Sequence, residues 1–127
     1  EGLANLTGDA RSAYDSYRRF IQMFGDVVFE IPSYHFEQAL SRIKKANDYR
    51  LDTELTATDL SELIDAYKLI FSQATGTDFP QDPLEQLRLA IIAVFDSWMN
   101  PRAVIYRRLH DIDASFGTAV NIQAMVF

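Results

Sequence analysis

Cysteine is absent from this chain of 127 residues. Its absence excludes disulfides, thiolate nucleophiles and cysteine-based zinc sites, and it fits a reducing cytoplasm, where we expect the protein to reside. Only two histidines occur, His35 and His110, far apart and beside polar residues. We therefore expect surface or helix-capping histidines and predict no metal site. Long apolar runs are missing too: residues 89–95 fall well short of the ~20 residues that cross a bilayer, so we expect a soluble chain with no membrane partner.

An excess of positive charge is also missing. The formal net charge is −6 and the isoelectric point is near 4.7. A general nucleic-acid binder needs a basic surface to displace counterions from phosphates, so no nucleic-acid partner is expected. Neither a glycine-rich phosphate loop nor a nucleophile elbow nor a Ser-His-Asp set is present. We predict no catalytic residue and no complete active site in this chain.

The residues that are present predict a mainly α fold. Hydrophobic residues make up 48% of the chain and aromatic residues 13%, which is enough for a core and too much for disorder. Apolar residues at helical spacing predict a bundle of four to five helices, with residues 47–55 as a loop. The predicted helices cover residues 9 to about 29 (with Gly25 as a possible earlier end), 34–46, 57–75, 83 to about 98, and 101 to about 110.

Capping signals support three of these helices. Thr56 and Asp59 suit a capping box, with Leu55 and Leu60 as a hydrophobic staple, and Gly76 suits the end of that helix. Asp82-Pro83 opens the next helix, where Glu85 would complete a second box, and Asn100-Pro101 opens the last. The helix after Asp82 has one predicted core face: Leu84, Leu87, Ile91, Val94, Phe95 and Trp98.

Two groups of arginines invite a functional interpretation. Arg18 and Arg19 are predicted on the solvated side of the first long helix, and Arg102, Arg107 and Arg108 lie on the last helix. A planar guanidinium suits a phosphate or carboxylate clamp, although surface solubility and contacts between domains explain such residues more often.

The final segment has a different period. Val120, Ile122, Ala124 and Val126 alternate with other residues in the pattern of a strand, and a single strand is not stable alone. We therefore predict a C-terminal β-strand over 118–127 whose partners lie in other sequence. The start without methionine and the apolar end also suggest a piece of a larger enzyme. Backbone beside Gln123 would suit a flat aromatic ligand, but a plain core strand has the same pattern.

Several stretches resemble the pyruvate, phosphate dikinase family. They are Tyr14 to Val28, Phe79 to Pro83, Ser97-Trp98, Asn100 to Ala103, Tyr106 to Arg108 and Gly117 to Phe127. The resemblance covers nearly the whole chain, with residues 41–58 the least distinctive. It implies that residues 1–117 are a helical subdomain of an ATP-grasp nucleotide-binding domain. Residues 118–127 would be the strand that leads into the hinge of that truncated α/β domain.

The resemblance also implies a function for the parent enzyme. Such enzymes interconvert ATP, phosphate and pyruvate with AMP, pyrophosphate and phosphoenolpyruvate through a phosphohistidine on a swivelling central domain, and a C-terminal barrel handles pyruvate. The parent would be a homodimer that uses ATP and Mg²⁺. Alternatives are a phosphoenolpyruvate synthase-type phosphotransferase, which uses water in place of phosphate, and a non-catalytic helical interaction module.

For the site, the resemblance implies a narrow set of contacts. The backbone of Gln123, Ala124, Met125 and Val126 would contact the adenine edge. The groups that bind the phosphates and magnesium would lie outside this chain. We therefore expect the chain alone to be inactive and to hold neither ATP nor Mg²⁺.

Overall fold

The two longest helices, α2 (Ala10–Phe29) and α4 (Ala57–Thr75), form the largest contact in the chain. The structure is a computed structural model that describes residues 2–123, without the side chains of Leu3, Leu6 and Thr7. The described residues are mainly helical, as predicted. The other α-helices are α1 (Gly2–Thr7), α3 (Ser33–Ala46), α5 (Pro83–Ser97) and α6 (Pro101–Leu109), and short 3₁₀ turns occupy Asp52–Glu54 and Ala114–Phe116.

The chain divides into two compact units between Phe79 and Pro80. This division falls inside the predicted helical subdomain of residues 1–117. The predicted boundary after residue 117 therefore stays a prediction.

The first unit buries its apolar residues where α2, α3 and α4 meet. Phe79 belongs to this core and is 4% exposed, with its ring 5.1–6.3 Å from four other aromatic rings. Each such side chain contributes roughly 1.5–3 kcal/mol on burial. The fully buried set is Ile21, Phe24, Phe36, Leu55, Leu60, Leu63, Tyr67 and Phe71.

Helix α2 extends to Phe29, the predicted end, and does not stop earlier at Gly25. Its C-cap residue, Glu30, has a left-handed φ of 55°. Gly25 is buried, and a Cβ built there would lie 2.9 Å from Cζ of Phe36. The glycine therefore allows a close approach of α3 instead of ending the helix.

Arg18 was predicted on the solvated side of α2, and this is wrong. It is 4% exposed because two carboxylates satisfy its guanidinium. Its Nε donates to Asp15 at 2.8 Å and its Nη2 donates to Asp52 at 3.1 Å. Lys44 donates to the other oxygen of Asp52 at 2.8 Å. These bonds tie the 3₁₀ turn after α3 to helix α2, which explains why a segment predicted as a loop has a fixed course.

The capping predictions hold for two of the three helices. Thr56 and Asp59 form the predicted capping box on α4, and Gly76 ends that helix in a left-handed conformation. On α6 the Asn100 side chain accepts from the backbone N–H of Arg102 at 3.0 Å. On α5 Asp82 caps as predicted, by accepting from Leu84 N, but the box with Glu85 is wrong. Both oxygens of Glu85 bind Arg88 instead.

None of the six residues of the predicted core face of α5 is buried, and three of them, Leu84, Leu87 and Phe95, are exposed. The side chains of Leu84 and Phe95 are 74% and 51% exposed, and no residue of α5 is buried. The prediction fails because a helical stripe shows only that a face needs cover and does not supply the cover.

The structure describes only residues 118–123 of the predicted C-terminal strand. Residues 118–123 are neither helix nor strand, and 124–127 lie outside the described residues. A strand is defined by its hydrogen bonds to a neighbour, and none of the other described residues forms one. In the part of the chain described, no helix combines the length and the apolar character of a membrane span.

Candidate nucleotide-binding segment

Of the four predicted adenine contacts, only Gln123 can be placed. It is exposed and belongs to the irregular run that follows the second 3₁₀ turn. Ala124, Met125 and Val126 lie outside the described residues. The predicted site is therefore described up to its first residue.

The approach to Gln123 is ordered by local hydrogen bonds. Asp113 accepts from Ser115 N at 2.8 Å through its carboxylate and from Phe116 N at 3.2 Å through its carbonyl. The hydrogen bond from the Ser115 backbone lowers the pKa of Asp113 below its usual value. Gly117 follows with φ 67° and ψ −165°, a backbone conformation that excludes most L residues. The chain then runs on without a helix.

The backbone of residues 118–123 is free to pair. Within the described range, no backbone hydrogen bond joins these residues to one another or to the helices. Exposed N–H and C=O groups along a non-helical run can pair with a neighbouring strand or with the edge of a planar heterocycle. Both uses are compatible with the segment.

A concave region of about 510 Å³ lies where α5 ends and α6 begins. Aromatic and cationic groups meet there, with Tyr106 exposed and Arg107 buried. The lining is Ser97, Trp98, Asn100, Arg102, Ala103, Tyr106, Arg107 and Ile112.

Of the three arginines predicted on the last helix, Arg107 is buried, whereas Arg102 and Arg108 are exposed. Arg107 is 7% exposed, its guanidinium carbon lies 3.9 Å from the Trp98 ring centroid, and its Nη1 donates to Trp98 O at 2.6 Å. No sequence signal reveals this contact, because the partner is a backbone carbonyl and a ring nine positions earlier.

Each histidine lies beside a tyrosine ring. His110 is the C-cap residue of α6, where its backbone N–H donates to the carbonyls of Arg107 and Tyr106, and its ring is tilted against Tyr106 with centroids 4.3 Å apart. His35 stacks on Tyr34 at 4.0 Å. Across residues 2–123 no group of three or more His, Asp or Glu side chains could hold a metal ion.

Comparison with known proteins identifies the family. Residues 50–127 match the family described as pyruvate phosphate dikinase, AMP/ATP-binding domain. Pyruvate, phosphate dikinase of Clostridium symbiosum is 53% identical over 128 residues, and that of Giardia intestinalis is 57% identical over 127 residues. A chloroplastic pyruvate, phosphate dikinase of Mesembryanthemum crystallinum is 54% identical over 126 residues.

These alignments cover 99–100% of this chain but only 13–15% of each relative. The family match covers more than half of the chain, and the identities extend over its whole length. The chain belongs to the pyruvate phosphate dikinase AMP/ATP-binding domain family, as the sequence resemblance indicated.

Proposed function

We propose that this chain is a helical part of the ATP-binding domain of a pyruvate, phosphate dikinase. The parent enzyme would convert ATP, phosphate and pyruvate to AMP, pyrophosphate and phosphoenolpyruvate, and catalyse the reverse reaction, through a phosphohistidine. The observation that carries this proposal is the identity of 53–57% to two dikinases along the whole chain. Identity at this level favours a dikinase over an unrelated helical module. The match of residues 50–127 to a family described as an AMP/ATP-binding domain supports the same choice.

Within that enzyme, residues 118–127 would be the strand beside the adenine of ATP, in an ATP-grasp domain. The backbone of Gln123, Ala124, Met125 and Val126 would supply the N–H and C=O groups that contact the base. Support comes from the exposed position of Gln123 and from the unpaired backbone of residues 118–123. A base held by backbone groups is recognised by its edge, so these side chains would matter less than their peptide groups.

Among residues 2–123, no group of three or more His, Asp or Glu side chains could hold a metal ion. The resemblance to dikinases implies that the groups for magnesium and the phosphates lie elsewhere in the parent. We therefore assign magnesium and phosphate binding to other segments of the parent, and no step of the reaction is derived from this chain. Isolated residues 1–127 are expected to be inactive.

Other domains of the parent are the proposed partners of the second unit. Helix α5 buries none of its residues in this chain, and Leu84, Met99 and Leu109 are 70–75% exposed. A chain that spans about a seventh of its relatives' length leaves ample further sequence to cover such a surface. A homodimeric parent in the cytoplasm, which binds pyruvate and phosphate elsewhere, remains part of this proposal.

The test is the product pattern of the full-length parent. With ATP, phosphate and pyruvate, a dikinase forms AMP, pyrophosphate and phosphoenolpyruvate in equal amounts, and omission of phosphate stops the reaction. A synthase-type enzyme would instead use water and release orthophosphate. Formation of AMP with orthophosphate and without added phosphate would reject the dikinase in favour of the synthase.

A non-catalytic module would form none of these products. Full-length parent that turns over no ATP with pyruvate, with phosphate present or absent, would favour that interpretation. Site-specific evidence would come from crosslinking of an azido-adenine nucleotide to the parent, followed by peptide mapping. Labelling within residues 118–127 is expected, and labelling confined to other segments would reject the adenine contact.

A further inference from the structure

Arg107 is a buried cation without an acidic partner in the described part of the chain. The ion pairs there involve Arg18, Arg19, Lys44 and Arg88. A buried charge without a carboxylate is costly unless other groups stabilise it. Because Arg107 is only 7% exposed, other groups must stabilise its buried charge.

The stabilising groups lie at the end of α5. The Arg107 guanidinium lies against the Trp98 indole and donates to the Trp98 carbonyl. Trp98 is the C-cap of α5, where carbonyl groups lack helical donors and a cation is favoured by the helix dipole. The negative face of an indole ring attracts a cation placed over it. The side chain of Arg107 therefore attaches α6 to the end of α5.

The backbone of Arg107 makes the second connection. Its carbonyl accepts from the N–H groups of His110 at 3.3 Å and Ile112 at 3.0 Å. Between these two residues Asp111 adopts φ 52°, so the chain reverses at the end of α6 in a Schellman-type turn. The direction in which the chain leaves Ile112 thus depends on where Arg107 is held.

From Ile112 the path continues through short-range bonds. Asp113 orders the 3₁₀ turn at Ala114–Phe116, and Gly117 sets the next change of direction. A continuous series of contacts therefore runs from Trp98, through Arg107 and Ile112, to the turn that ends at Gly117. Gly117 directly precedes residues 118–127, the proposed strand beside adenine.

We propose that Arg107 is a positioning residue for the nucleotide, which fixes the course of residues 112–117, and so the point where the proposed adenine segment begins, from the end of α5 without touching the ligand. This proposal depends on the proposed function, since it assumes that residues 123–126 contact adenine. It predicts that loss of the Arg107 contacts weakens ATP binding and leaves chemistry at the pyruvate site unchanged. A displacement of about 1 Å is enough to reduce a rate about 100-fold, so the effect on ATP-dependent steps should be large.

The experiment uses the full-length parent and two partial reactions. In the ATP-dependent half, ATP and phosphate are consumed: the enzyme histidine keeps one phosphoryl group of ATP, the other joins the phosphate to form pyrophosphate, and AMP leaves. In the other half, phosphoenolpyruvate passes its phosphoryl group to the histidine and pyruvate leaves, so pyruvate–phosphoenolpyruvate exchange requires no ATP. Arg107→Met is expected to raise the KM for ATP about 10- to 100-fold, with the exchange rate within about two-fold of the wild type.

Two further variants separate positioning from folding. Arg107→Lys keeps a cation near the indole but loses the planar guanidinium, so an intermediate KM is expected. Arg88→Met removes an arginine from α5 that is exposed and pairs only locally with Glu85, and it should leave the KM for ATP unchanged. Hydrogen exchange measured on peptides from residues 112–117 should be faster in Arg107→Met than in Arg88→Met.

Two outcomes would overturn the proposal: an unchanged KM for ATP in Arg107→Met, or an equal loss of both partial reactions in Arg107→Met and Arg107→Lys. Failure of the proposed function has a different signature. In that case the wild-type parent itself would form no AMP and pyrophosphate from ATP, phosphate and pyruvate.

Discussion

Nη2 of Arg18 lies 3.1 Å from Oδ2 of Asp52, although 34 positions separate the two residues. The contact joins the middle of α2 to the 3₁₀ turn that precedes α4. Asp15 completes the binding of the guanidinium from the same helix. Burial alone would lower the pKa of Arg18, but the charge and hydrogen bond of Asp15 raise it above its usual value, so the side chain stays charged inside the first unit.

Arg18→Met should therefore destabilise the chain. It leaves two carboxylates without their shared cation, and the expected loss is about 1–3 kcal/mol in the free energy of unfolding. Urea denaturation of the 127-residue chain, followed by far-UV circular dichroism, measures this loss. Arg19→Met is the matched control, because Arg19 also binds Asp15 but its side chain is 61% exposed. The control should change stability by less than about 0.5 kcal/mol.

A double-mutant cycle tests the Arg18–Asp52 pair directly. The side chain of Asp52 is 38% exposed, so solvent screens part of the interaction. A coupling energy of about 0.5–2 kcal/mol is expected for Arg18→Met with Asp52→Asn. Strictly additive effects would show that the two residues stabilise the fold independently.

Stability should also depend on pH through Asp52. Its hydrogen bond from Lys44, together with the charges of Lys44 and Arg18, lowers the pKa of Asp52, although partial burial opposes the shift. A carboxylate with a lowered pKa stabilises the fold fully above its unfolded pKa, which is about 3.9. That contribution is lost as the pH falls through the lower, folded-state pKa.

Asp52→Asn should accordingly flatten the acid limb of the stability curve. Free energies of unfolding measured from pH 6 to about pH 2 should fall less steeply in Asp52→Asn than in the wild type. Some slope should remain, because the pKa values of Glu54 and Asp59 are also lowered, by backbone and Thr56 hydrogen bonds respectively. Asp65→Asn, at an exposed position on α4, is the control and should reproduce the wild-type slope.

Gly25→Ala should destabilise the packing of α2 against α3. The new Cβ would lie 2.9 Å from Cζ of Phe36, which is completely buried and has little room to move. Alanine improves helix propensity by about 1 kcal/mol, but overpacking costs typically 1–3 kcal/mol, so a net loss of about 1 kcal/mol is expected. Thermal unfolding of the 127-residue chain measures the difference.

A second background shows whether the clash is the cause. Phe36→Leu removes the ring atoms near Gly25, so Gly25→Ala should be neutral or stabilising when combined with it. An equal loss in both backgrounds would contradict the steric explanation.

The helices were predictable because their signals are local. Capping residues act within a few residues of a helix end, so their spacing alone predicts where a helix begins or ends. The examples here are Thr56 with Asp59, Asn100 with Pro101, and Gly76. Arg18 was misplaced because Asp52, which compensates its burial, is distant in the sequence. Periodicity also predicted a buried face for α5, but burial depends on a covering surface that these residues do not contain.

The candidate site was predictable only through resemblance. Alternation over residues 118–127 indicates a strand, yet a strand beside adenine and a strand in a core have the same pattern. The comparisons confirmed the family, whereas of the adenine contacts the structure describes only Gln123. The contact of Arg107 with the Trp98 carbonyl was unpredictable from the sequence, because every residue type has a backbone carbonyl.

The two units should unfold separately in the isolated 127-residue chain. The first unit contains every buried hydrophobic side chain among the described residues, whereas α5 and α6 of the second unit bury only Arg107. Regions with few buried apolar contacts open at low free energy.

Trp98 is the single tryptophan and lies in the second unit, so its fluorescence reports that unit alone. We expect a fluorescence transition at lower urea concentration than the transition in far-UV circular dichroism. Arg107→Met should lower the fluorescence midpoint further, and Arg18→Met should lower only the circular dichroism midpoint. Coincident transitions in all three proteins would show that the chain unfolds as one cooperative structure and would contradict separate unfolding of the two units.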